Sequence, residues 1–117
     1  TGVGPGNHSL ILPQFQPPGI KRRFYHAHND YLQFTAELGL LFIPLLIWTG
    51  VGFFRAGFRK LNHPSRQTRW ITLGAMGGVV AILVHSVSDF NMQFPSNTLL
   101  FTLLAAQVAA PPPLLKK

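Results

Sequence analysis

The chain has 117 residues, of which 47% are hydrophobic and 11% are charged, well below the roughly 25% of charged residues in soluble domains. With a mean hydropathy of +0.24 and a pI near 11.0, this composition favours a membrane protein. The basic residues cluster between apolar runs, so membrane topology explains them better than nucleic-acid binding does. The absence of cysteine excludes a disulfide framework and a thiolate metal site.

The N-terminal segment, residues 1–33, is rich in glycine and proline, and this composition predicts a loop with defined turns. Because the chain begins with Thr1 and shows no signal peptide, we expect it to be a piece of a longer polytopic protein. The run His28-Asn29-Asp30 closes this segment, directly ahead of apolar residues. Ionisable groups at the mouth of a membrane span are a functional hypothesis by default.

Three apolar segments follow the loop. Residues 34–54 and 70–89 predict two clear transmembrane helices, since about 20 apolar residues suffice to cross the hydrocarbon core, and Pro44 is expected to kink the first helix. Residues 98–115 form a third, marginal or truncated, transmembrane segment that runs into three prolines. The predicted fold class is therefore all-α, a fragment of a polytopic membrane protein.

Basic residues predict the orientation of these spans. The loop over 55–69 contains five cations and no acid: Arg55, Arg59, Lys60, Arg66 and Arg69. The positive-inside rule places this loop in the cytoplasm, so residues 1–33 form a periplasmic loop and residues 90–97 a periplasmic turn. Lys21, Arg22 and Arg23 then lie outside against the rule, which calls for a functional reason.

Two polar groups lie at the predicted outer boundary. A helix that starts at Asn29 or Asp30, both good N-caps, places Asp30, Gln33 and Glu37 on one face. At the outer end of the second span, His85 and Asp89 are one helical turn apart, so an imidazole–carboxylate contact is expected. Histidine is the usual side chain for proton transfer near neutral pH.

Structural interpretations of the same residues remain open. His85 and Asp89 can satisfy each other between packed helices, and His28 can be an ordinary surface residue of the loop. The cations at 21–23 can anchor the chain to lipid headgroups. The pair His26 and His28 lacks a convincing third ligand, so no metal is expected.

The sequence around His28 resembles bacterial O-antigen ligases and the related O-antigen polymerases. Their motif has a histidine followed by Asn, Ser or Gln, nine residues, a glycine, and Gly, Thr or Tyr three positions later. Here His28-Asn29 and Gly39 match, whereas Phe42 departs from the last position. The glycines at 2, 4 and 6 and the run from His85 to Asn91 are also similar to the family. The likeness covers nearly the whole chain but only the C-terminal part of a ligase.

The resemblance implies a multi-pass glycosyltransferase of the bacterial inner membrane. Such an enzyme transfers a glycan from undecaprenyl pyrophosphate to a hydroxyl acceptor, such as the lipid A core, on the periplasmic face, without a cofactor. The remaining helices of a longer chain would complete it. The catalytic residues implied in this chain are His28, Asn29, Asp30 and Glu37. The substrate-binding residues implied are Arg22, Arg23, His85 and Asp89.

The residues leave two rival interpretations open. A transporter or channel segment could use Glu37, His85 and Asp89 as an ion relay. The short third segment and its proline-rich end also fit an inactive remnant of the ligase family. The sequence does not separate a ligase from a polymerase, because both take the same kind of donor.

Overall fold

The computed structural model describes residues 2–15, 17 and 28–112, and this part of the chain is helical, without a strand. The N-terminal segment contains one helical turn, α1 (His8–Ile11), and a 3₁₀ turn (Leu12–Phe15). The longer helices are α2 (Asp30–Leu38), α3 (Phe42–Leu61), α4 (Arg66–His85) and α5 (Pro95–Ala109), with a 3₁₀ turn (Asn91–Gln93) ahead of α5. The all-α class is confirmed.

The predicted first span, 34–54, is interrupted near its start. Helix α2 ends at Leu38, and Gly39 adopts φ 76°, a left-handed conformation that glycine tolerates without a Cβ penalty. Helix α3 then begins at Phe42. Pro44 occupies the third position of α3, where a backbone N–H has no acceptor within the helix. The proline therefore helps to start a helix, and the predicted kink within a continuous span was wrong.

The predicted basic loop, 55–69, is largely helical. Helix α3 continues to Leu61 and α4 begins at Arg66, because Arg and Lys are good helix formers and cations are favourable near a helix C-terminus. The connection is only residues 62–65. The Ser65 hydroxyl accepts a hydrogen bond from the Thr68 N–H at 3.4 Å, which caps α4.

The last two predicted segments are also displaced. Helix α4 covers 66–85, so Asp89 lies beyond its end, in the connection to α5. Helix α5 begins at Pro95, a favoured first helical residue, and ends at Ala109 after 15 residues. Its length is about 22 Å, which is shorter than the roughly 30 Å hydrocarbon core of a bilayer.

The three longest helices pack around a small core. Its buried side chains are Ala75, Met76 and Val79 of α4 and Val108 of α5. At the crossing of α3 and α4, the Met76 side chain packs directly on Gly57, and a Cβ there would force the methionine to move. Most large apolar side chains of these helices are exposed.

Within the described residues, one helix is long and apolar enough to cross a membrane, namely α4. Only 22% of its most apolar window is buried, so the other described helices do not enclose it. The expectation of two clear transmembrane helices is not confirmed. Helix α3 carries Arg55, Arg59 and Lys60 in its C-terminal half, which lowers its apolar character.

Candidate functional site

Three residues singled out in the sequence meet at one end of the helix bundle. The Nδ1 atom of His28 lies 3.9 Å from Asp89 Oδ1, and Nε2 of His85 lies 3.8 Å from Asp89 Oδ2. We call these three residues the histidine–aspartate cluster. Both distances exceed hydrogen-bond length, so the carboxylate lies beside each imidazole without a direct hydrogen bond.

The cluster is open to solvent or ligand. The side chains of His28, His85 and Asp89 are 66%, 62% and 41% exposed. Asp89 is held in place by its own loop, since its Oδ1 atom accepts a hydrogen bond from the Phe90 N–H at 2.8 Å. The ring of Phe90 meets the His28 imidazole edge to face, with 4.9 Å between ring centroids. These contacts orient His28 from one side and leave most of its ring accessible.

The backbone of His28 is strained. Its φ is 50°, and it is the one non-glycine residue with positive φ in the described part of the chain. Such conformations cost of the order of 1–3 kcal/mol and cluster at functional sites. The hydrogen bonds of Asn29, the next residue, hold the His28 backbone in this conformation. Asn29 caps α2 by accepting from the Leu32 N–H at 3.0 Å and donates to the Val87 carbonyl at 2.8 Å.

Asp30 has a connecting role rather than a position beside the imidazole. It is 2% exposed, and its Oδ2 atom accepts a hydrogen bond from the Met92 N–H at 2.8 Å. Its own N–H donates to the Ser86 carbonyl at 3.0 Å. These bonds join the start of α2 to the segments on either side of Asp89. The carboxylate that lies beside the His28 imidazole therefore belongs to Asp89 and not to Asp30.

Glu37 is buried against the glycine-rich N-terminal segment. It is 6% exposed, its Oε2 atom accepts from the Gly6 N–H at 2.9 Å, and its Oε1 atom accepts from the Gln33 amide at 3.3 Å. The shared face of Asp30, Gln33 and Glu37 that the spacing predicts is the buried face of α2. The carboxylate of Glu37 thus holds a loop in place, which does not favour its use as an ion relay.

The glycines at the start of the chain have a structural role that sequence reasoning missed. Gly4 and Gly6 adopt φ of 93° and 76°, and a Cβ on Gly2 would clash with the Glu37 carbonyl oxygen. Val3 and Gly4 donate their N–H groups to the carbonyls of Ala36 and Glu37 at 3.0 and 2.9 Å. The alternating glycines are a signal for such close backbone approach, although they do not identify the partner helix.

Tyr31 fastens α2 to the end of α4. Its hydroxyl donates to the Leu83 carbonyl at 2.8 Å. Burial raises the pKa of the Tyr31 hydroxyl above its usual value, and the nearby charge of Asp30 raises this pKa further. The tyrosine therefore stays protonated, which is the form that donates this hydrogen bond. Together with Asn29 and Asp30, it fixes the backbone on which His28 is presented.

A shallow cavity with both apolar and amide side chains borders the cluster. It has a volume of about 330 Å³ and lies beside His85, with Asn91 and Asn97 in its wall. In the ranges that the structure covers, no group of three or more His, Cys, Asp or Glu side chains is placed to hold a metal ion. Arg22 and Arg23, predicted to bind the donor, lie outside the described residues.

Comparison of the chain with models of protein families, with curated proteins and with solved structures finds no match.

Proposed function

We propose that this chain is part of a membrane glycosyltransferase of the O-antigen ligase or polymerase type. It would move a glycan from undecaprenyl pyrophosphate to a hydroxyl acceptor at the periplasmic surface of the bacterial inner membrane. The observation that carries the proposal is the histidine–aspartate cluster, which joins the His28 motif to a carboxylate 61 residues further along the chain. The family resemblance of both motifs supports the same interpretation.

The cluster has the parts that glycosyl transfer to an alcohol needs. In the reaction, the acceptor oxygen bonds to the anomeric carbon of the sugar, and the bond from that carbon to the pyrophosphate oxygen breaks. The pyrophosphate leaves with the electron pair, and the acceptor proton passes to His28. The Nδ1 side of His28 faces Asp89, which leaves Nε2 to take the proton as a general base. The carboxylate then stabilises the imidazolium that forms.

The roles of the other predicted site residues follow from their positions. Asn29 and Asp30 would act as positioning residues, since their bonds hold the turn that presents His28. Glu37 would hold the glycine-rich segment. His85 shares Asp89 with His28 and borders the 330 Å³ cavity, so it would contact donor or acceptor. Arg22 and Arg23 are proposed to bind the pyrophosphate, whose charge suits the guanidinium fork.

The exposed apolar surface supports placement in a membrane. Helix α4 has the length and composition of a span. Large apolar side chains of α3, including Ile47 and Trp48, are 61% and 74% exposed. In water such a surface is a liability, whereas lipid or neighbouring helices would cover it. We propose that α3 and α4 both lie in the bilayer as a helical hairpin and that α5 is a shorter third segment. The cationic hairpin end would then be cytoplasmic and the cluster periplasmic.

The test is His28→Ala in cells that express the complete protein, with attached polysaccharide and membrane protein level both measured. Loss of a general base lowers rates by about 10²–10⁴-fold, so attachment should fall at least a hundredfold at an unchanged protein level. Asp89→Asn should lower it about fivefold, the factor for two unit charges near 4 Å in water.

The matched control is His63→Ala, since His63 lies in the connection between α3 and α4, at the opposite end of α4 from the cluster. It should leave attachment unchanged. Near-normal attachment by the His28→Ala protein would overturn the proposal. Equal losses for His63→Ala and His28→Ala would point to folding instead of catalysis.

A further inference from the structure

An apolar groove of about 780 Å³ runs between α3 and α5, with Val79 and Leu83 of α4 in its lining. Its wall extends along α3 from Leu46 to Arg55, a length of about 14 Å. Small residues make the room: nothing lies within 4 Å of a Cβ built on Gly50 or Gly52. Among the described residues that line the groove, Arg55 is the one that carries a charge.

Arg55 belongs to an end of the molecule where the described residues include cations and no acid. The exposed cations of the hairpin formed by α3 and α4 are Arg55, Arg59, Arg66 and Arg69. Lys60 is 6% exposed, and its Nζ donates to the Gln107 carbonyl near the end of α5 at 2.6 Å. This bond brings the end of α5 beside the cationic hairpin end, so Arg55 and the C-terminal part of α5 bound the same end of the groove.

All three acidic side chains of the sequence are engaged elsewhere. The carboxylates of Asp30 and Glu37, both in α2, accept hydrogen bonds from backbone N–H groups of other segments. Asp89 lies between two histidines. Arg66 and Arg69 occupy the first turn of α4, which contains no acid, although the positive end of a helix dipole disfavours cations there. The hairpin end therefore has a surplus of positive charge that an external anion would neutralise.

We propose that the groove binds one anionic phospholipid, with its acyl chain along α3 and α5 and its phosphate at Arg55. Phosphatidylglycerol has the required chemistry, because its acyl chains are apolar and its phosphate carries a single negative charge close to the start of those chains. A second copy of the chain fits less well, because it would bring the same cations and its acidic side chains are engaged. Nucleic acid would supply phosphates but nothing to cover the apolar wall. The proposal does not depend on the glycosyltransferase assignment.

The experiment uses native mass spectrometry of the purified chain released from mild detergent. Phosphatidylglycerol and phosphatidylcholine with identical acyl chains are added in competition, and bound lipid is counted. We expect a preference for phosphatidylglycerol that Arg55→Gln lowers about fivefold, the factor that one basic residue contributes near an anionic surface. Arg55→Lys keeps the charge and should keep most of the preference.

Two further variants separate the groove from diffuse attraction. Arg69→Gln removes an exposed cation that does not line the groove, and it should change the preference less than twofold. Gly52→Leu keeps every charge but fills the groove, and it should reduce the binding of both lipids. Circular dichroism checks that each variant is helical. The proposal would be overturned if the native chain bound the two lipids equally, or if Arg55→Gln and Arg69→Gln changed the preference equally. It would also be overturned if a dimer formed that excluded lipid, or if Gly52→Leu left the binding of both lipids unchanged.

Discussion

The hydrogen bond between Asp30 and the Met92 N–H predicts that removal of the Asp30 carboxylate lowers the stability of the fold. A purely catalytic role of Asp30 would predict a loss of activity without this loss of stability. In Asp30→Ala the Met92 N–H loses its partner, and a hydrogen bond to a charged acceptor contributes about 1.5–3 kcal/mol. The carboxylate also lies in the first turn of α2, where a negative charge contributes about 0.3–1 kcal/mol. Its second oxygen is buried without a partner among the described residues, which offsets part of this gain. We therefore expect a loss of about 2 kcal/mol.

The matched variant is Asp30→Asn, whose side-chain oxygen can still accept from the Met92 N–H. It should lose less than half as much stability as Asp30→Ala. Unfolding of the chain in detergent, driven by added sodium dodecyl sulfate and followed by circular dichroism, measures both. Asp89→Ala is the control, since Asp89 is 41% exposed and exposed ion pairs contribute little. An unchanged midpoint for Asp30→Ala, or equal losses for Asp30→Ala and Asp30→Asn, would refute the connecting role.

Two other predictions concern the segments that α2 fastens. Gly2→Ala should detach the N-terminal segment, because its methyl would clash with the Glu37 carbonyl oxygen; hydrogen exchange should then show lost protection at Val3 and Gly4, and retained protection would contradict it. Tyr31→Phe should cost about 1 kcal/mol. Since burial and then Asp30 raise the pKa of Tyr31, the folded chain holds a proton that the unfolded chain loses near pH 10, so stability falls as the pH rises above this value. Tyr31→Phe should remove the part of this decrease in stability that is due to Tyr31. A comparison of the unfolding of both proteins at about pH 9 and about pH 11 measures it.

The local features of the site follow from short-range sequence chemistry. Asn29 is the N-cap of α2, and the three- and four-residue spacing of Asp30, Gln33 and Glu37 predicts their shared face. The contact of His85 with Asp89 was predicted from a helical turn, and it forms although α4 ends at His85 and Asp89 lies in the turn that follows. These predictions depend only on helix periodicity and capping, which act within a few residues.

Helix boundaries were harder to predict, because several local preferences compete there. Hydropathy alone joins α2 to the first half of α3, but the backbone freedom of Gly39 separates them. Charge alone predicts a loop over 55–69, whereas the helix propensity of arginine and lysine extends α3 to Leu61 and lets α4 begin at Arg66. In both cases the apolar or charged character of the side chains was a weaker determinant than the backbone preference of particular residues.

The pairing of His28 with Asp89 could not be predicted from the sequence, since no local rule relates residues so far apart in the chain. It depends on four bonds that cross from the start of α2 to the end of α4 and the segment after it: Asn29 to Val87, Asp30 to both Ser86 and Met92, and Tyr31 to Leu83. The three residues that make these bonds directly follow His28 in the chain. The residues next to the histidine thus determine which carboxylate it meets, and this explains why a motif interpreted as a set of catalytic groups divides into one exposed imidazole and the residues that hold its backbone.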